Sequence, residues 1–159
     1  MNPKLSILYF LVLLTPILGA LQNLFLYVKS NNHSINNWYL YTNKEGNGIN
    51  YFYLAEHKAS KLTYDNKKDY IYQQVNPHTK YDFLIRNNIL QLSIFNPYKV
   101  TIKSNGELQF NGANDLYAVK NINDPTKFSN NNYAIVYYKN KKNVPKGAIP
   151  VDIYAKYVQ

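Results

Sequence analysis

Apolar and polar residues alternate with a period of two along much of this chain, and almost nowhere with the period of a helix. Leu90, Leu92 and Ile94 alternate with Gln91 and Ser93, and Tyr98, Val100 and Ile102 with Lys99, Thr101 and Lys103. Leu108 and Phe110 bracket Gln109, while Val151, Ile153, Ala155 and Tyr157 alternate with Asp152, Tyr154 and Lys156. Successive side chains of a strand point to opposite faces, so each run is expected to bury one face and wet the other. Turn residues separate the runs. Asp65–Lys68 divides Leu62–Tyr64 from Tyr70–Val75, and Ser104-Asn105-Gly106 divides the run at Tyr98 from that at Leu108. Asn-Gly, which recurs at Asn111-Gly112, marks hairpins because both residues accept positive φ. Gly46-Asn47-Gly48, Asn76-Pro77, Asn96-Pro97, Asp124-Pro125 and Val144-Pro145 supply further breaks. The Lys-rich stretch Lys139–Lys146 reads as an exposed loop before the final strand. Helix is expected to be minor. The pattern predicts an all-β fold, a single-domain sandwich or barrel of about ten to twelve short antiparallel strands. A β-trefoil would accommodate the same strand number, although no internal repeat of its period is visible.

The start of the chain follows another rule. Lys4 precedes an apolar run from Leu5 to Leu18 that ends in Gly19-Ala20. A basic head, a short apolar core and small residues at its end predict a secretory signal peptide over residues 1–20, leaving a domain at 21–159. The apolar run resumes at Leu24-Phe25-Leu26, so an uncleaved anchor is the alternative. A spanning helix needs about 20 predominantly apolar residues, and Pro16, Gly19, Gln22 and Asn23 interrupt the longer window. No stable membrane span is therefore expected after signal cleavage. Leu18 is bulky for the position two before a cut after Ala20, which leaves the cleavage site itself open.

Composition narrows the function classes. There is no cysteine, so a disulfide framework is excluded although an exported protein could form one, and stability must come from packing and backbone pairing. Lys and Arg number 18 against 9 Asp and Glu, a net charge of +9. The basic residues are dispersed, with short clusters only at Lys67-Lys68 and Lys139–Lys142. That distribution reads as a wet surface with blocked sheet edges rather than a nucleic-acid stripe. An anionic glycan or acidic lipid is the alternative partner; nucleic acid is not expected. Tyr is in excess, with 17 copies against 7 Phe and 1 Trp, and it is a strand former with a polar tip.

Candidate chemistry is sparse. His33, His57 and His78 have no ligand-pair spacing, and no cysteine can complete a zinc set, so no metal and no cofactor are expected. No Gly-x-Ser-x-Gly elbow occurs. A glycosidase needs two carboxylates facing across a cleft. Asp65, Glu107, Asp115 and Asp124 instead sit beside turn residues, and no catalytic residue is assigned. Asn32-His33-Ser34 is the single Asn-x-Ser/Thr sequon, which makes Asn32 a candidate glycosylation site. Trp38, Tyr39 and Tyr41 are candidate glycan contacts, since exposed aromatic rings stack on sugars. In the alternative reading, Trp38 and Leu40 face the core while Tyr39 and Tyr41 line the other side of the strand.

An ordered series of short motifs runs through the domain. Gly-Ile-Asn-Tyr-Phe-Tyr-Leu (Gly48–Leu54) is followed by Lys-Leu-Thr-Tyr-Asp (Lys61–Asp65), Tyr-Gln-Gln (Tyr72–Gln74), Leu-Gln-Leu-Ser (Leu90–Ser93), Val-Thr-Ile (Val100–Ile102) and Asn-Gly-Glu-Leu (Asn105–Leu108). Asn111-Gly112, Leu-Tyr-Ala-Val-Lys-Asn-Ile-Asn-Asp-Pro (Leu116–Pro125), Tyr-Ala-Ile-Val (Tyr133–Val136) and Pro-Lys-Gly-Ala-Ile-Pro-Val (Pro145–Val151) complete it. In this order the chain resembles the small cell-wall mannoproteins of Candida-type yeasts, whose members are typically GPI-anchored, and is more distantly similar to the PhiA-type cell-wall proteins of filamentous fungi. The resemblance implies a secreted, non-enzymatic protein of the cell wall or cell surface, with cell-wall polysaccharide or mannoprotein as its partner. One departure is that the family's Ser/Thr-rich segment and apolar tail are not seen before Tyr157-Val158-Gln159, so GPI attachment is not expected. The alternatives to a structural role are a lectin-like glycan-binding module, a glycan-active enzyme and a basic membrane-active protein.

Overall fold

The computed structural model describes residues 20–159, so the proposed signal segment, apart from Ala20, lies outside the described residues. Thirteen strands follow one another: β1 (Leu21–Lys29), β2 (Tyr39–Gly46), β3 (Ile49–Ala55), β4 (Leu62–Asp65), β5 (Tyr70–Asn76), β6 (Thr79–Arg86), β7 (Ile89–Ser93), β8 (Thr101–Ile102), β9 (Leu108–Gln109), β10 (Leu116–Val119), β11 (Ala134–Tyr137), β12 (Ile149–Pro150) and β13 (Asp152–Tyr157). The only helical pieces among the described residues are single 3-10 turns at Ala113–Asp115, Phe128–Asn130 and Lys141–Asn143. The strand total exceeds the expected number because β8, β9 and β12 are two-residue strands.

Eleven of the strands belong to one antiparallel sheet that curls on itself. Its ladders run β1–β4–β5–β6–β7–β3–β2 and return to β1, which makes the barrel-like closure. β1 is the seam. Its first residues, Leu21–Leu24, pair with β4, Tyr27 pairs with Tyr39 of β2, and β13 runs along the opposite edge from Leu24 to Lys29. β11 bridges β3 and β7 and carries β10 and then β12 outward. The β8–β9 hairpin forms a second, two-stranded sheet, tied to β13 by a bridge between Glu107 and Tyr154. No three-fold repetition appears in these ladders, so the trefoil alternative gives way to the barrel-like sheet.

Local chemistry accounts for the turns. Asn87 and Asn88 connect β6 to β7 with φ of 51° and 62°, the left-handed pair that a two-residue hairpin requires and that Asn tolerates. Gly106 turns β8 into β9 at φ 92°, with its N–H donating to the Lys103 carbonyl. The expected alternation holds along β13, where Ile153 and Ala155 are buried, and β1, an apolar run in the sequence, also buries alternate residues, Leu24, Leu26 and Val28. Leu40, Phe52, Leu62, Ile71, Phe83, Leu90 and Leu92 complete the centre of the core, with Phe83 between Phe52 and Phe110 at ring separations of 5.8 and 5.1 Å.

Two stretches depart from the sequence pattern. Gln91 and Ser93 were expected to face water and are buried, whereas Ile94 was expected inside and is 63% exposed. β7 is paired along both edges, to β6 and to β3 and β11, and the Gln91 amide folds back to donate to the Arg86 and Ile89 carbonyls. Leu90, Gln91, Leu92 and Ser93 are buried in succession, so β7 is covered on both faces, and alternation ceases to report depth there. The run at Tyr98 is strand only at Thr101–Ile102, because Tyr98 N–H donates to Phe83 and Val100 N–H to Asp69. Those two bonds tie the segment to β6 and to the residue before β5 instead of laying it along one neighbouring strand.

Candidate functional site

Tyrosines on the outer face of β1, β2, β3 and β13 form two groups with opposite environments. The first lies where β2 meets β3. Tyr41 and Tyr53 are register partners there, and Phe128 of the segment between β10 and β11 packs edge-on against both, at 6.1 and 4.9 Å. Lys58 Nζ stands 4.5 Å from the Tyr41 ring. Beneath Phe128, two carboxylates are buried, Glu45 at 6% and Asp124 at 2% exposure. The Tyr53 hydroxyl lies 2.7 Å from Glu45 Oε1 and 3.2 Å from Asp124 Oδ2. Thr126 donates its N–H to Glu45 Oε2 at 3.1 Å, and its hydroxyl lies 2.8 Å from each Glu45 oxygen. Asp124 accepts from the Phe128 N–H at 2.7 Å and from the N–H and hydroxyl of Ser129.

This set fastens the loop to the sheet. Burial raises the carboxyl pKa of Asp124, but the Ser129 hydroxyl and the backbone N–H groups of Ser129 and Phe128 more than offset it and hold the group below its ordinary value. Burial, and then the hydrogen bond to Glu45, pushes the Tyr53 hydroxyl far upward, so it remains protonated and able to donate. Glu45 and Asp124 are thus occupied by donors from their own loop and strand. A pair of hydrolytic carboxylates would have to face a cleft wide enough for a sugar and water.

The second group is open. Phe25 and Tyr27 project from β1 on the side away from Leu24, Leu26 and Val28. Tyr39 of β2 and Tyr154 of β13 flank Tyr27 as its register partners. The ring centroids follow one another in a bent row: Tyr154 to Tyr27 5.8 Å, Tyr27 to Tyr39 6.5 Å and Tyr39 to Phe25 6.4 Å. All four rings are half-buried. Lys29 Nζ lies 4.6 Å from the Tyr154 ring, and Lys156 Nζ is 3.4 Å from the Tyr39 hydroxyl. A groove of about 660 Å³ opens on one side of Tyr39, walled by Phe25, Glu56, His57, Lys156 and Tyr157. A shallower depression of about 320 Å³ lies on the other, between Tyr27, Asn37 and Ala155.

The residues singled out in the sequence are thereby separated. Tyr39 joins the open row. Tyr41 sits in the sealed group at 4% exposure, and Trp38 is half-buried against the main core on the opposite face of the strand. Asn32 is exposed in the turn between β1 and β2, where its side-chain oxygen accepts from the Ser34 N–H at 2.9 Å and the Ser34 hydroxyl at 2.7 Å. His57 lies 3.7 Å from Glu56 on the groove rim. Among the described residues no group of three His, Cys, Asp or Glu side chains could hold a metal ion, and no helix is long and apolar enough to cross a membrane. Phe25, Tyr27 and Tyr154 were not singled out as contacts. Alternation places Tyr154 opposite the buried residues of its strand, whereas Phe25 reads as part of an apolar run; the β1–β13 register, which joins the two ends of the domain, brings them together.

Cell wall protein PGA31 of Candida albicans is 31% identical to this chain over 152 residues, covering 92% of the chain and 50% of that protein. Cell wall protein PGA30 of the same yeast is also 31% identical over 152 residues, covering 93% of the chain and 53% of that protein. This chain is a homologue of the Candida cell wall proteins. A third relative, cell wall protein RHD3 of the same organism, is 32% identical over 100 residues, covering 60% of the chain and 47% of that protein. The chain spans about half the length of these relatives. The order of motifs from Gly48 to Val151 pointed to this family, and the homology supports a cell-wall or extracellular location. No family model and no solved structure matches the chain.

Proposed function

We propose that this protein is a structural component of the fungal cell wall or cell surface, which acts by folding robustly and associating with its surroundings rather than by catalysis. Homology to Candida cell wall proteins across more than nine-tenths of the chain carries this reading. It is supported by the fate of Glu45 and Asp124, the buried acids that the fold brings together, which are fully engaged in fastening a loop. Residues 1–20 act as the export signal in this proposal, and Asn32 carries a glycan. Cell fractionation is the test. The protein is expected in washed walls, with a mature N-terminus near Leu21 and a mass that falls on glycosidase treatment. Complete recovery from the medium, with none in wall extracts, would overturn wall association.

A second reading has its own support. The open row of Phe25, Tyr27, Tyr39 and Tyr154 offers four rings, three of them with a hydroxyl tip, beside a groove, the arrangement by which aromatic side chains take up sugars. In that reading the chain is a glycan-binding module. Retention on glucan, mannan or chitin columns tests it.

A further inference from the structure

We propose that the aromatic row binds one uncharged, turning glucan chain, which crosses Tyr39 and places a sugar in the depression on each side of it. The proposal rests on the glycan-binding reading and specifies its ligand. Continuity of the surface gives the path. The two depressions, of about 660 and 320 Å³, have Tyr39 and Lys156 in common, so an extended ligand passing from one to the other crosses the ridge that these two side chains form. Ring spacing then places a further aromatic face on either side of the crossing, Phe25 at 6.4 Å and Tyr27 at 6.5 Å.

The tilt of the rings selects the form of the ligand. Tyr154 and Tyr27 meet at 35°, Tyr27 and Tyr39 at 63°, and Tyr39 and Phe25 at 79°. A flat face of packed polysaccharide ribbons requires rings in one plane, and these share none. A single chain whose successive sugars rotate, as 1,3-linked β-glucose units do, presents a C–H face to each tilted ring in turn. Charge selects its composition. Lys29 is the register partner of Asp152, and Lys156 shares the groove wall with Glu56, so two lysines are set against two carboxylates. Such a rim offers donors and acceptors to hydroxyl groups but no net positive well for a phosphorylated glycan, even though the whole chain carries +9.

The experiment is calorimetric titration of the full folded domain with a soluble 1,3-linked β-glucan oligosaccharide and with phosphorylated mannan, beside a co-sedimentation assay on insoluble chitin. Saturable glucan binding that survives added salt is expected, because neutral contacts are not screened. Tyr39→Ala is expected to weaken it about tenfold or more, which is about 1.4 kcal/mol. Lys156→Ala, a change at an exposed side chain that leaves the fold intact, is expected to weaken it by a smaller factor, and the two thermal midpoints report whether either variant has lost structure. Salt-sensitive binding of phosphorylated mannan without glucan binding would overturn this ligand and leave the glycan-binding reading standing. Glucan binding unchanged in both variants would overturn this site and leave that reading standing. Failure to bind any of the three would overturn both.

Discussion

Tyr41–Tyr53 and Tyr27–Tyr39 are both cross-strand aromatic pairs on the outer face of the same sheet, yet one is sealed and the other open. The difference lies in what the chain lays over them. Above Tyr41 and Tyr53 the segment from Asn121 to Ser129 folds down with three residues in left-handed backbone, Asn121, Asn123 and Lys127, and is fastened by Asp124, Thr126 and Ser129. No described segment crosses Tyr27 and Tyr39. An aromatic pair with a lid adds to the core; the same pair without one remains a contact surface.

The sharpest way to break this comparison is to release the lid. Asp124→Ala strands the N–H groups of Phe128 and Ser129 and the Ser129 hydroxyl in a buried site, and is expected to cost about 3–5 kcal/mol in urea denaturation. A loss under about 1 kcal/mol, the size of an ordinary surface change, would mean that the lid seals nothing. Acid should act in the same direction. Because the folded-state pKa of Asp124 lies below its unfolded value, its contribution is fully present above the ordinary carboxylate pKa and is lost as pH falls through the folded value. Denaturation midpoints measured from neutral to strongly acidic pH should show that decline, and Asp124→Asn should flatten it. The open pair should respond less. Tyr154→Ala removes one ring from the row and is expected to cost about 1 kcal/mol. The smallest change is expected at Lys58→Ala, which removes the ammonium over Tyr41 and should cost about 0.5 kcal/mol by thermal denaturation.

The same contrast explains which parts of the molecule the sequence reveals. A strand such as β13 buries one face, so Ile153 and Ala155 announce themselves by period, whereas β1, with Phe25 and Tyr27 between Leu24, Leu26 and Val28, reads as an unbroken apolar run. Hairpins closed within a few residues, such as Asn105-Gly106 between β8 and β9, are local events and equally readable. Gln91 and Ser93 mislead because a polar residue in a central strand looks the same in sequence as one facing water. Glu45 and Asp124 could not be paired in advance, since the contact joins positions far apart and depends on how one loop lands. The sequence offers Trp38, Tyr39 and Tyr41 as glycan contacts, with the alternative that Trp38 and Leu40 face the core while Tyr39 and Tyr41 line the other side, and Trp38 follows that alternative. Strand alternation divides Trp38 from Tyr39, and the loop above β2 and β3 divides Tyr39 from Tyr41. Only the pairing of β1 with both β2 and β13 supplies Tyr39 with its actual neighbours.

That pairing also determines how the domain would respond to a pull. β1 and β13 are antiparallel, with Leu24 opposite Tyr157 and the Val158 N–H donating to the Asn23 carbonyl. The first residues of one strand therefore lie beside the last residues of the other. Their hydrogen bonds run across the strands, so tension between the two ends of the domain would load the bonds at that end first and then the next pair along. The seam would open like a zipper at low force, where strands sheared lengthwise would share the load.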